Sequence, residues 1–220
     1  MRTIRVTGKG QIKVHPDMTR ITMTLQGLYQ DYAETLRRSS EDTEQIRKIL
    51  EPFGFMPSDL KTLRFDIDPE YESYQEKNTW KQRFIGYKFE HAVKVEFESD
   101  NGRLGKLLYT LAHGPLQPEF RISYFVKDPE GSKNELLGKA VADAKDKASV
   151  LASAAGVVLK GIQSVDYSWG EINLEYHPME KAMPTEDCLS VNSPADHYDL
   201  NMEPDDMEVT DTVTVIWEIG

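Results

Sequence analysis

Residues 2–14 alternate strictly: Ile4, Val6, Gly8, Gly10, Ile12 and Val14 fall on one parity, Thr3, Arg5, Thr7, Lys9, Gln11 and Lys13 on the other. Successive side chains leave a strand on opposite faces, so this segment suits a strand with one face buried and one in water. The pattern returns at Ile21/Met23/Leu25 after a His15-Pro16-Asp17 turn, which reads as an antiparallel hairpin with the first strand. Further strands are expected at Leu63/Phe65/Ile67, Ile85/Tyr87/Phe89/Val93/Val95/Phe97, Phe120/Ile122/Tyr124, Val165/Tyr167/Trp169 and Val209/Val213/Val215/Trp217. One-sided strands are the mark of antiparallel sheets covered on a single face.

Three helices are expected to do the covering. The first starts at Asp31, with Glu34 three residues on in a capping-box arrangement, and ends before Pro52. The second opens at Asp100 and carries Leu104, Leu107, Leu108 and Leu111 at helical spacing. The third begins at Asp128-Pro129, stops at Gly156, and has the stripe Leu137, Ala140, Val141, Ala144, Ala148, Leu151 and Ala155. Its alanines imply close approach to the layer beneath. The expected fold is therefore α+β, antiparallel sheets covered on one side by three helices, in the order β-β-α-β-β-α-β-α-β-β. With 39% apolar residues in 220, the chain has material for one large domain (1–220) or two sheet–helix lobes.

Residues 171–206 break the pattern. They lack periodicity, contain Pro178, Pro184, Pro194 and Pro204, and hold ten acids against one base, Lys181. Such a segment buries too little apolar surface to offset its chain entropy, so an acidic loop insertion before the last strand is expected. It carries a net charge of -9 out of -11 for the chain, leaving the rest near neutral at -2. Basic neighbours or partners would suit it.

The overall charge argues against nucleic acid, whose phosphates call for a surplus of Lys and Arg, and against an anionic membrane surface. No run approaches the roughly 20 apolar residues of a membrane helix. Cys188 is the single cysteine, so no intrachain disulfide can form. Met1–Thr7 shows no apolar leader pattern, and a cytoplasmic location is expected.

No chemical motif emerges. Gly8-Lys9-Gly10 lies inside a strand rather than before a helix N-terminus, so close packing under the alanine-rich helix explains it better than a phosphate cradle. His177, Asp187, Cys188, Asp196, His197 and Asp199 are ligand types at spacings that match no zinc template. His15 and His113 sit in expected turns, and His91 takes the inward parity of a strand, where a satisfied core histidine is the usual explanation. Asp66 and Asp68 share a strand face turned to solvent, and no nucleophile stands beside a base. Neither catalytic, metal nor cofactor-binding residues are assigned.

Aromatic residues interleave with cations over 71–91: Tyr71, Tyr74, Trp80, Phe84, Tyr87 and Phe89 with Lys77, Lys81, Arg83 and Lys88. Core and hairpin positions explain Tyr87 and Phe89. Tyr74 and Trp80 complete no strand and are the candidate interaction residues. The expected function is a non-enzymatic module that self-associates or binds a protein partner. The competing classes are a small-molecule or metal-binding protein and an enzyme with a pocket between sheet and helices.

The residues also resemble the SIMPL domain family, named for a signalling protein that associates with a pelle-like kinase and including bacterial periplasmic immunogenic proteins. The resemblance rests on Val6-x-Gly8-x-Gly10 with Pro16-Asp17, on Phe65-x-Ile67-x-Pro69-x-Tyr71 with Gly86-Tyr87, and on Ala140-x-x-Asp143-Ala144-x-x-Lys147-Ala148-x-x-Leu151-Ala152-x-Ala154-x-Gly156. It spans nearly the whole chain. It implies an α+β fold, no cofactor and no established enzymatic activity. It also implies protein partners, a link to oxidative stress in bacteria, and ring-like self-assembly in some members.

Overall fold

The computed structural model describes residues 2–167, 174–176 and 203–220. Among them the strands are β1 (Arg2–Val14), β2 (Met18–Tyr29), β3 (Lys61–Glu76), β4 (Thr79–Glu98), β5 (Glu119–Phe125), β6 (Leu159–Asp166), β7 (Glu175–Tyr176) and β8 (Met207–Ile219). The helices are α1 (Tyr32–Leu50), α2 (Asn101–His113) and α3 (Pro129–Ala154), with a 3-10 turn over Glu51–Phe53. The α+β class and the element order match the sequence reading, with the two-residue β7 added. The ligand-type residues His177, Asp187, Cys188, Asp196, His197 and Asp199 lie outside the described residues.

The chain forms two compact units, the first from Met1–Asp17, Tyr124–Tyr176 and Pro204–Gly220, the second from Met18–Ser123 and His177–Glu203. In the first, β8 lies between β1 and β6, antiparallel to both. Val6, Val213, Val215 and Trp217 form its core with Ala140, Ala144 and Ala148 of α3. The buried stripe of α3 is Leu136, Ala140, Ala144, Ala148 and Ala152, one residue every four. Leu151, expected inside, is half exposed, and Ala155 is exposed. Gly8 and Gly10 cause this choice: an added Cβ would lie 2.0 Å from the Ala140 carbonyl oxygen at Gly8 and 2.2 Å from that of Leu136 at Gly10. The helix backbone rests directly on the strand, so a row of small residues faces it.

Sequence neighbours β1 and β2 do not form the expected hairpin. Arg2–Val14 pairs throughout with Ile219–Met207 of β8, while Met18–Tyr29 pairs with Glu98–Tyr87 of β4. Val14 and Met18 are joined by a segment containing Pro16 rather than by a two-residue turn, and each strand carries its apolar face to its own core. In the second unit the sheet runs β3-β4-β2-β5, and β7 pairs with Tyr124 and Phe125 at the end of β5. Ile21, Met23, Phe89, Val93 and Val95 pack there against Ile46 and Leu50 of α1 and Leu104, Leu107, Leu108 and Leu111 of α2.

The helix ends follow local chemistry. Asp31 accepts from the Ala33 and Glu34 amides at 2.9 and 3.1 Å, Asp100 from Arg103 at 3.0 Å, and Asp128 from Gly131 at 2.9 Å. Glu34 does not complete a capping box; its carboxylate receives Arg37 and Arg38 instead. α3 stops in a Schellman arrangement, with Gly156 at φ +67 and the Val157 amide donating to the Ala152 carbonyl at 3.0 Å. His113, expected in a turn, is the last residue of α2. Trp169, expected to extend the sixth strand, lies outside the described residues.

Candidate functional site

The pairing of β3 with β4 is longer than the sheet that holds it. β2 covers β4 only as far as Tyr87, whereas β3 and β4 continue to Glu76 and Thr79. The remainder is a two-stranded arm, exposed on both faces from Tyr71 to Phe84. Lys77 and Asn78 close it at φ 47 and 65, a two-residue turn with both residues left-handed, which suits the twist of a hairpin. Its base is a bulge: Glu70 pairs with Gly86 and Tyr71 with Phe84, so Ile85 is extra. Gly86 has φ +146, and a Cβ there would meet the Tyr29 carbonyl oxygen at 2.5 Å, so glycine is required.

The bulge inverts the parity of β4 beyond it. His91, Phe89 and Tyr87 point toward the helices; past Ile85 that face passes to Phe84 and Trp80, joined by Tyr71 from β3. Edge-on ring contacts run from Tyr71 to Phe84 (5.8 Å), Phe84 to Tyr87 (5.1 Å) and Tyr87 to Tyr32 of α1 (5.4 Å). Trp80 is 71% exposed at the far end of this face. The opposite face is charged: Arg83 donates to Glu72 at 2.8 Å and Lys81 pairs with Glu76. Tyr74 belongs there, with the Arg83 guanidinium 5.9 Å from its ring centre. Tyr74 and Trp80 therefore occupy opposite faces of the arm. Both are strand residues, and Trp80 shares its face with Tyr71 and Phe84.

A second group surrounds His91. A bulge at Leu63 pairs Thr62 with Val93 and Arg64 with Ala92, turning Thr62 inward and leaving Leu63 exposed. His91 Nδ1 lies 3.0 Å from Thr43 Oγ1 and Nε2 lies 2.9 Å from Thr62 Oγ1. Thr43 donates its proton to the Ser39 carbonyl at 2.8 Å, so it accepts from Nδ1–H, and Thr62 donates to Nε2. The ring is neutral and satisfied, as a core histidine should be. Burial, and after it the positive charge of Arg47, hold its pKa below the ordinary histidine value.

The sign of the resulting pH effect follows. Below pH about 6.5 the unfolded chain takes up a proton at His91 that the folded chain resists. This contribution to stability is complete above that pH and declines as pH falls toward the folded pKa. The depressed carboxylates Glu34 and Glu96 lose theirs only below the ordinary glutamate value of 4.5. Urea melts at pH 7.5 and 5.5 should show a loss that is smaller in His91→Gln; equal losses would show that His91 is not the source.

Other sequence candidates stay apart. Asp66 is engaged by Arg64 and Asp68 is exposed on the edge strand. Exposed His15 lies 3.0 Å from Asp206. Among the described residues no three His, Cys, Asp or Glu side chains are grouped to hold a metal ion, and no helix is long and apolar enough to cross a membrane.

A family model described as "SIMPL: Protein of unknown function (DUF541)" matches residues 4–217. The 26 kDa periplasmic immunogenic proteins of Brucella abortus (strain S19) and Brucella melitensis biotype 1 are 28% and 27% identical to this chain over 157 residues. Those matches take in 71% of this chain and 62% of each relative, so the chain spans less than two thirds of their length. With a match that runs from the first residues of β1 to the last residues of β8, the chain belongs to the SIMPL family, whose function is unknown.

Proposed function

We propose that this protein is a non-enzymatic association module whose contact element is the β3–β4 arm, engaging a second copy of the chain or another protein. The observation that carries this reading is the arm's aromatic face. A two-stranded ribbon alone is marginally stable in water, and this one presents Tyr71, Trp80 and Phe84 to solvent beyond the last strand that supports it. Aromatic side chains at the centre of an interface carry a large share of binding energy, and Trp is prominent among them. Among the described residues β3 is an edge strand, which adds backbone groups without a strand partner along the same arm.

Sedimentation velocity from low to high micromolar concentration tests the self-association form. The wild-type chain should sediment above its monomer mass, and Trp80→Ser with Phe84→Ser should weaken association by about 2 kcal/mol, roughly thirtyfold in the dissociation constant. Tyr74→Ser, on the charged face, should change it much less. A clean wild-type monomer at high micromolar concentration removes self-association and leaves a different protein as partner.

The reading does not depend on compartment. With Cys188 as the single cysteine, no intrachain disulfide is needed in either a reducing or an oxidising environment. Cell fractionation decides between the cytoplasm, expected from the sequence, and the periplasm named for the relatives.

A further inference from the structure

We propose that the cleft between α1 and the edge of the β3–β4 sheet binds a small organic monoanion, a carboxylate with an apolar body, anchored by Arg47. The cleft has a volume of about 340 Å³, within the range of small-molecule sites. Leu36, Ser40, Thr43 and Arg47 line it from α1 at spacings of four, three and four, so they form one stripe; Phe65 and His91 line it from the sheet.

Three features select the ligand. The Arg47 Nε–H is buried and has no hydrogen-bond partner among the described residues. The guanidinium meets Glu44 only through Nη1, at 3.2 Å, in an exposed pair of the kind that contributes little. Nε is too enclosed for a ligand atom to meet it, so a ligand is held by the outer guanidinium nitrogens, for which a carboxylate is the acceptor that matches in charge and geometry. Secondly, Arg47 is the single charge on the lining: His91 is committed to two threonines as a neutral ring, and the others are hydroxyl or apolar. One cation suits a monoanion and leaves a phosphate dianion half compensated. A second cavity that Arg47 also lines carries Glu44 and Glu51 beside Lys48, so its cations are balanced by carboxylates and it is the less favourable place for an anion.

Thirdly, the walls offer apolar surface in need of cover. Leu36 is 48% exposed and Phe65 41%, although Phe65 pairs with His91 on the inward face of its sheet. α1 rests on β2 and β4 and leaves the edge strand β3 uncovered. An apolar body lying between Leu36 and Phe65 would be held by both while its carboxylate reached Arg47 and the Ser40 hydroxyl.

The test is a heteronuclear NMR titration of the full chain at pH 7.5 with 3-phenylpropionate, 3-phenylpropanol and inorganic phosphate. The carboxylate should give saturable shifts confined to α1 near residues 36–47 and to Phe65 and His91. The alcohol and phosphate should each bind at least about tenfold more weakly. Arg47→Gln should weaken 3-phenylpropionate by about tenfold or more. Arg47→Lys, which keeps the charge without the planar guanidinium fork, should bind at an intermediate level and supports the test if the first variant folds poorly. No saturable shift up to about 10 mM, equal binding of acid and alcohol, tighter phosphate, or an affinity indifferent to Arg47 would each overturn the proposal.

Discussion

Gly8→Ala should destabilise the first unit by roughly 3 kcal/mol, although it adds one methyl group to a position that reads as an ordinary strand site. The new Cβ would stand 2.0 Å from the Ala140 carbonyl oxygen, 2.5 Å from the Ala144 amide nitrogen and 2.7 Å from the Ala144 Cβ. Two of these atoms are helix backbone and cannot rotate away as a flexible side chain could. α3 would have to lift along its length, loosening Ala140, Ala144 and Ala148, all fully buried, from Val213, Val215 and Trp217. Urea denaturation followed by circular dichroism measures the effect, and Lys9→Ala, on the outward face of the same strand, is the control. A loss below about 1 kcal/mol for Gly8→Ala would mean that helix and strand lie farther apart than described here.

Phe89→Ala should cost the second unit about 4 kcal/mol, within the 3–5 kcal/mol range of large aromatic truncations. Phe89 is completely buried in β4, at the point where β3 and β2 flank it through Ile67 and Gly27. Gly27 shows how closely the ring is held: a Cβ there would come within 2.6 Å of a Phe89 ring carbon. On the β2 side nothing can swing in to fill the space, because Gly27 has no side chain. Phe89→Leu, which retains most of the volume, should lose markedly less, and that difference separates a cavity effect from general disruption. Equal losses for the two variants would point to a requirement for the ring itself.

Much of the architecture was legible because its causes are local. The alternation of Ile4 to Val14 gave β1 its buried face, and Asp31, Asp100 and Asp128 marked three helix starts by the acceptors they offer to the first amides. The inward parity of His91 anticipated a satisfied core histidine. Its partner Thr62 had no such signal, since its inward position depends on an extra residue, Leu63, that parity counting cannot see. Arg47 was equally silent, because a charged residue on an amphipathic helix reads as a solvated one until the groove beside it is seen.

The sequence by itself determined the order and type of the elements, the near-neutral body beside an acidic 171–206 segment, and resemblance to the family that the comparison established. These depend on side-chain periodicity, capping and composition, which act over a few residues. Tertiary structure decided what depends on distant partners: β1 joined to β8 rather than to β2, and Ala152 rather than Leu151 turned to the strands beneath α3. It also separated Tyr74 from Trp80, which parity alone would place on one face. A single bulged residue, Ile85, reverses the strand's facing, and backbone pairing between strands, not the local pattern, determines where that residue falls.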